Sequence, residues 1–504
     1  MRSGIRYVTG RIKHLPPPLS LPHTGGGNRR GTEVRETSLT SPGQHSQTGI
    51  ASRVAVASWI LFEWAVQPFF TLITTFVYAP YFAAVIVGDP TRGQALWGFA
   101  TAAAGLVIAL VSPALGAIAD AAGRRKPWIA AFSALLFVAA ALLWFGRPAD
   151  PASIAPVLAA FALGAVGAQC SLVFFNSMMP ALVPRERLGR LSGTAWSIAY
   201  VGGLVSLAAT LGFLAASPAS GKTLFGIAPL LGLDPLAHEG DRAAGPFTAI
   251  WLLIFAWPLF AFTPDRPRQS GILDALRSGL GMLAQTLRRL PRERDVALFL
   301  LANMICADGL VALFAFGGIY AAGTFGWGTI EIGMFGILLT ITGAIGAFVG
   351  GRLDDRYGPK RVILSSLVIL IVSGATILTI DRDRIGFLAV APPIPGAALY
   401  ASAAERAYVA VGLLIGAVAG PLQAAARSLL ARLAPAERMT QFFGLFALSG
   451  KITSFVGPLL VGVVTAATES QKAGMAVLIA FFLIGALVLM RVRPVVSRAQ
   501  RSAK

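Results

Sequence analysis

The sequence predicts an all-α polytopic membrane protein, with twelve transmembrane helices in two pseudo-symmetric six-helix bundles. Three observations lead there. A mean hydropathy of +0.70, with 55% hydrophobic and 13% charged residues over 504 positions, lies far from soluble averages. Apolar runs long enough to cross about 30 Å of hydrocarbon recur along the chain. A tight basic turn set between two such runs occurs twice.

Residues 1–54 are rich in Pro, Gly, Ser, Thr and Arg without hydrophobic periodicity and read as a disordered cytoplasmic tail. Arg29-Arg30 is no twin-arginine signal, because no short apolar core follows it. Spans 1–6 are placed near 56–87, 94–119, 127–146, 153–182, 188–216 and 246–263, in an amino-terminal bundle of residues 55–263. Spans 7–12 are placed near 296–322, 331–352, 361–380, 406–431, 440–466 and 473–491, in a carboxy-terminal bundle of residues 296–491. The linker 264–295 carries Leu273, Leu276, Leu280, Leu283, Leu287 and Leu290 at spacings of three and four, interleaved with Arg277, Arg288 and Arg289. That pattern describes an amphipathic helix, either on the inner membrane surface or packed on the cytoplasmic faces of the bundles. Residues 492–504 form a second cytoplasmic tail, and 217–245 and 381–405 are loops.

The first turn reads Gly116-Ala-Ile-Ala-Asp120-Ala-Ala-Gly123-Arg124-Arg125-Lys126, the second Gly351-Arg-Leu-Asp-Asp355-Arg-Tyr-Gly358-Pro-Lys360-Arg361. Each first glycine lets two helices approach closely, and each aspartate can accept hydrogen bonds at a neighbouring helix N-terminus. Each second glycine turns the chain before a cationic cluster at the membrane face. Asp120 is expected to cap span 11 near Thr440, and Asp355 to cap span 5 near Leu188. A further repeat aligns Pro184, Glu186, Arg187 and Gly193 with Pro435, Glu437, Arg438 and Gly444.

With the amino terminus inside, the inner loops hold nineteen Lys and Arg residues and the outer loops eight. This asymmetry puts both termini and both basic turns in the cytoplasm, at the inner cell membrane. It also gives the +19 net charge a membrane-surface role rather than a nucleic-acid one. Cys170 and Cys306 lie inside apolar runs, and His14, His23, His45 and His238 outside them, so no disulfide framework, metal site or cofactor is expected.

Ionisable groups inside spans are costly facing lipid and are usually directed into polar cavities. Glu63 lies about two turns into span 1 and Asp308 about three turns into span 7. Lys451 falls near the middle of span 11, while Arg427 sits near the inner end of span 10 and is placed to snorkel. Glu63 and Asp308 are candidates for a substrate cation or coupling proton, and Lys451 and Arg427 for a carboxylate; structural ion pairing is the alternative. Gln67, Gln169, Asn176, Asn303 and Gln423 are amides fit either to bond a ligand or to join helices. Trp64, Trp196 and Trp251 belong at the membrane interface or along the cavity.

Several stretches resemble the autophagy-related vacuole effluxer branch of the major facilitator superfamily. They are Phe62-Glu63-Trp64-Ala65, Asn176 through Gly193, Asn303 through Gly309, and above all Gly420 through Ser428, Phe442 through Gly444, Leu448 through Lys451, and Gly457-Pro458. In span 1 the family usually has an Asp-Trp-Ala-Asn run where this chain has Glu63-Trp64-Ala65-Val66, so the charge type survives and the neighbouring amide changes. The resemblance implies twelve helices, alternating access and export of amino acids from a vacuole; the expected partners are a small-molecule substrate, the lipid bilayer and a coupling proton, with the chain a monomer. An intramembrane enzyme is disfavoured, because no paired histidines, metal-ligand spacing or Ser-His arrangement is found. Sugar or drug-like carriers and a non-transporting ligand sensor remain as alternatives on the same scaffold.

Overall fold

The computed structural model describes residues 51–218, 220–327, 329–392 and 399–493. Most of both expected tails lies outside those residues. Eleven long apolar helices run over Arg53–Ile86, Leu96–Ala122, Lys126–Phe145, Pro151–Ala181, Arg185–Leu214, Glu239–Phe262, Arg294–Gly318, Glu331–Tyr357, Pro359–Leu378, Ala403–Leu433 and Gln471–Met490. These are spans 1–10 and 12. Span 11, expected as one helix, is instead two: Met439–Ser449 and Val456–Thr468. Large apolar side chains such as Phe99, Leu110, Leu253, Ile345 and Val372 stand exposed on the outer faces, as a lipid solvent requires.

The helices begin where side chains satisfy their first amides. Ser52 accepts from Ala55 N, Asp150 from Ala152 N and Ser470 from Ala473 N. Ser402 and Glu405 form a reciprocal capping box at the start of span 10. After spans 2 and 8 the chain reverses at Gly123 and Gly358, whose φ angles of 89° and 90° only glycine adopts readily. Pro127 and Pro359 then open the next helix, at a position where a missing N–H costs nothing.

Span 1 changes character at Pro68. Beyond it the backbone widens into π-helix over Phe69–Phe76, and the Thr74 and Thr75 hydroxyls donate to carbonyls five residues back. The stretch 381–405, read as a loop, opens with part of a small antiparallel hairpin, Ile380–Asp381, Arg384–Ile385 and Leu388–Ala389. The linker holds the expected helix over Ile272–Arg289, and it packs on the protein: its Gly279 lies on the Ala117–Ile118 backbone of span 2. Trp64 and Trp251 stack with centroids 5.4 Å apart between spans 1 and 6.

Candidate functional site

The two basic turns are where the halves meet. Gly116 sits so close to span 11 that a β-carbon there would come within 2.6 Å of the Thr440 carbonyl oxygen. One turn on, the Asp120 carboxylate accepts the N–H groups of Thr440 at 3.2 Å and Gln441 at 2.8 Å. These are first-turn amides that have no partner within their own helix. Arg125, expected at the membrane face, is instead 2% exposed, donating to Thr440 Oγ1 at 3.0 Å and pairing with Asp120 at 3.4 Å. Only its neighbour Arg124 is exposed. The left-handed turn at Gly123 sends successive side chains in opposite directions, and the linker's Asp265 holds the Arg125 and Lys126 amides at 3.0 and 3.1 Å. Burial pushes the Arg125 guanidinium down to about 10, leaving it charged at neutral pH.

The second turn performs the same junction differently. Gly351 lies against the Gly189 carbonyl and the Gly193 α-carbon, so spans 5 and 8 touch backbone to backbone. The Gly189 and Arg190 amides are turned toward Asp355, but no donor reaches hydrogen-bond geometry. Ion pairs to Arg190 at 3.7 Å and Arg432 at 3.5 Å meet its charge instead. Asp354, which the repeat alignment passed over, is the more deeply buried carboxylate. It takes the Ser428 hydroxyl and pairs with Arg432 at 3.0 Å. Lys360 donates to the Met490 and Val492 carbonyls at the end of span 12, as Lys126 does to Phe260 at the end of span 6. Arg361 and Arg124 alone keep the expected exposed position.

Deeper in, Arg427 does not snorkel. It is 3% exposed and reaches from span 10 into the other half, where it pairs with Glu63 of span 1. It also donates to Asn176 Oδ1 at 2.9 Å, Ser192 Oγ at 2.9 Å and the Ser192 carbonyl at 2.8 Å. The Trp59 and Trp196 rings lie 5.7 and 5.9 Å from its guanidinium carbon. Outward reach was the wrong inference because the polar partners lie inward: four groups on spans 1, 4 and 5 offer more than the headgroup region does.

Asp308, Asn303 and Lys451 form a second group around the break in span 11. Asn303 donates to Ser449 Oγ at 2.9 Å. Asp308 is 3% exposed, its backbone packs on Gly457, its carboxyl faces Thr453, and its Oδ1 has no hydrogen-bond partner. Lys451 lies within the break, and among the described residues its ammonium meets no carboxylate at ion-pair distance. The pairing of Glu63 with Asp308 as like sites therefore separates: one is neutralised across the halves, the other is left unpaired.

A cavity of about 160 Å³ lies between spans 1, 5 and 8, lined by Gln67, Phe70, Thr71, Thr75, Tyr200 and Thr340 among others. Apart from Gln67, its lining residues follow the midpoint of spans 1 and 5 and precede that of span 8, so it lies on the side away from the basic turns. Gln67 bonds Thr71 at 3.4 Å on the π-helical stretch. Gln423 of span 10 faces the Tyr200 hydroxyl while bonding Ala419 in its own helix at 3.3 Å. Gln169 is half-buried on span 4 and joins neither cluster. Ser192, Tyr200, Thr453 and Asp354 escaped sequence reasoning. Ser192 had a signal, being the residue before the repeated Gly193; a hydroxyl or a second carboxylate in an apolar run otherwise gives none.

Two six-helix halves that meet at a repeated turn, with a cavity of mixed polar and apolar lining between them, fit a multi-pass transporter of the major facilitator superfamily. Solved structures agree on the fold. The proton:xylose symporter XylE superposes with a TM-score of 0.64 at 13% identity, covering 88% of this chain and 96% of that one. The fucose:proton symporter FucP of E. coli gives 0.59 at 17%, covering 87% and 98%. The chain belongs to the family described as vacuole effluxer Atg22 like, whose model matches residues 94–504. It is 23% identical over 438 residues to the uncharacterized MFS-type transporter YxiO of Bacillus subtilis, covering 86% of this chain and 93% of that protein. Autophagy-related protein 22 of Candida glabrata is 24% identical over 251 residues, and the match spans only 44% of that protein's length. YxiO and both structural neighbours carry transporter names.

Proposed function

We propose that this protein is a secondary active carrier that exports small zwitterionic solutes, such as amino acids, by alternating access with proton coupling. The observation that carries the reading is the Arg427–Glu63 pair, which ties span 10 to span 1 across the two halves. A buried pair that loses one charge becomes unfavourable, so protonating Glu63, or offering Arg427 a substrate carboxylate instead, releases a bond that holds the halves together. Lys451 and the unpaired Asp308 oxygen offer complementary charges to a zwitterion beside the broken span 11, where interrupted helices commonly bind solutes. The clamped basic-turn side is the cytoplasmic one, by the distribution of Lys and Arg, with both termini inside and the carrier in the inner cell membrane as a monomer.

The lining of the cavity favours a second reading. Gln67, Thr71, Thr75, Tyr200 and Thr340 are neutral hydrogen-bonding groups beside aromatic rings, which suits a sugar, the solute named for XylE. Melting of purified protein with amino acids and with glycosides separates the two, because a ligand of the folded state raises its stability. For coupling, Glu63→Gln in proteoliposomes is expected to abolish solute accumulation under an imposed pH gradient. Full-rate accumulation would remove Glu63 as the proton site.

A further inference from the structure

The linker helix Ile272–Arg289 has three distinct faces. Ala275, Gly279 and Thr286 meet the protein: Gly279 rests on the backbone of span 2, and the Thr286 hydroxyl bonds Gln441 Oε1 at 3.3 Å and Arg438 at 3.2 Å. About 100° further round, Leu276, Leu280 and Leu287 stand exposed at 41%, 46% and 47%. Beyond them Arg277 and Arg288 are exposed, while Arg289 is exposed on the other side of the protein-facing stripe, and among the described residues none of the three has a carboxylate partner. The helix follows the end of span 6 at Phe262, precedes the start of span 7 at Arg294, and touches span 2 about one turn before Ala122. Those contacts fix it at the depth where the spans leave the bilayer. A leucine stripe at that depth, edged by arginines, matches the boundary between acyl chains and headgroups.

We infer that the linker helix docks on anionic phospholipid, its leucines seated among the acyl chains and Arg277 and Arg288 on the headgroup phosphates. Anionic rather than zwitterionic lipid is selected by charge: between Ile272 and Arg294 five arginines face two acids, and each cation near an anionic surface adds about fivefold to the attraction. Through Thr286 the docked helix also bears on Gln441, the residue whose amide Asp120 caps. Lipid charge therefore reaches the clamp without touching the substrate pathway.

The test is the unfolding midpoint of the full chain in nanodiscs of phosphatidylcholine, with and without phosphatidylglycerol. Phosphatidylglycerol is expected to raise the wild-type midpoint by a few degrees, and molar salt to remove the gain, since the screening length then falls to about 3 Å. The double variant Arg277→Gln, Arg288→Gln should lose the gain while keeping the wild-type midpoint in phosphatidylcholine. Leu276→Ser, Leu280→Ser, Leu287→Ser should lower the midpoint in both lipids. No gain in the wild type, an equal gain in the arginine variant, or an unmoved midpoint in the leucine variant would each overturn the assignment. So would an equal rise on adding soluble glycerol phosphate to phosphatidylcholine discs, which would point to a free-anion site.

Discussion

The junction of spans 2 and 11 and the junction of spans 5 and 8 grow from the same repeated turn, yet they are held by different forces. In the first, one carboxylate caps a helix with two short hydrogen bonds, and a buried arginine closes the network. In the second, glycines bring backbones into contact while two adjacent carboxylates share Arg432 and an exposed Arg190. Duplication thus preserved where the halves touch and left the chemistry of each contact free to diverge. Under the alternating access proposed above, the two junctions would respond to different things: the hydrogen-bonded side to geometry, and the ionic side to charge.

The largest expected effect comes from Asp354→Ala. The pair it forms with Arg432 is buried, with side-chain exposures of 1% and 12%, and breaking such a pair costs about 3 kcal/mol. Thermal unfolding should show it; a loss near zero would mean Arg432 finds water and that the ionic junction is superficial. Next are the glycines, where the two junctions should behave alike. A side chain at Gly116 or at Gly351 meets backbone atoms at 2.6 Å, and overpacking of that kind costs about 1–3 kcal/mol. Gly116→Leu and Gly351→Leu should each slow flux roughly tenfold or more, with insertion into the membrane intact. If only one does, the clamp has a single working side. Smaller still, and unequal, are the aspartates Asp120 and Asp355. Asp120→Ala removes a cap worth about 1 kcal/mol and a 3.4 Å pair to Arg125, which keeps its bond to Thr440 Oγ1 and the nearby Asp265 charge, whereas Asp355→Ala removes longer ion pairs worth less than about 1 kcal/mol. Equal losses of stability would erase the distinction between the junctions.

How much of this could be read beforehand follows the same division. The Asp120 cap on Thr440 was legible because helix N-termini attract carboxylates whatever the surroundings, and the repeat located the partner. Asp354 was not, since two adjacent carboxylates differ only in which way the helix turns them, and the alignment selected Asp355. Arg427 was misplaced by the reasonable rule that long cations near a helix end reach for water; what overrode it was a set of acceptors on the opposite half, invisible in one dimension. The break in span 11 falls on the polar stretch Ser449-Gly450-Lys451-Ile452-Thr453-Ser454, where the helix could yield; reading the apolar runs on either side as one span passed over it.

Smallest of all should be the change at Arg124 and Arg361. Sequence alone cannot distinguish Arg124 from Arg125, yet the first is exposed and the second is 2% exposed between Asp120 and Thr440. If the cationic cluster acts only as surface charge, Arg124→Ala, Arg361→Ala and Arg125→Ala should weaken membrane orientation alike and leave the clamp untouched. With the geometry seen here, the first two should leave flux and melting unchanged, and Arg125→Ala should reproduce most of the Asp120→Ala defect. Asp120 would then keep its backbone bonds but lose the guanidinium that offsets its burial. Combining Arg125→Ala with Asp120→Ala should add little to either alone, since both remove one network. Additive losses would show that Arg125 acts through the linker's Asp265 instead, and the hydrogen-bonded junction would then extend beyond the pair of spans that defines it.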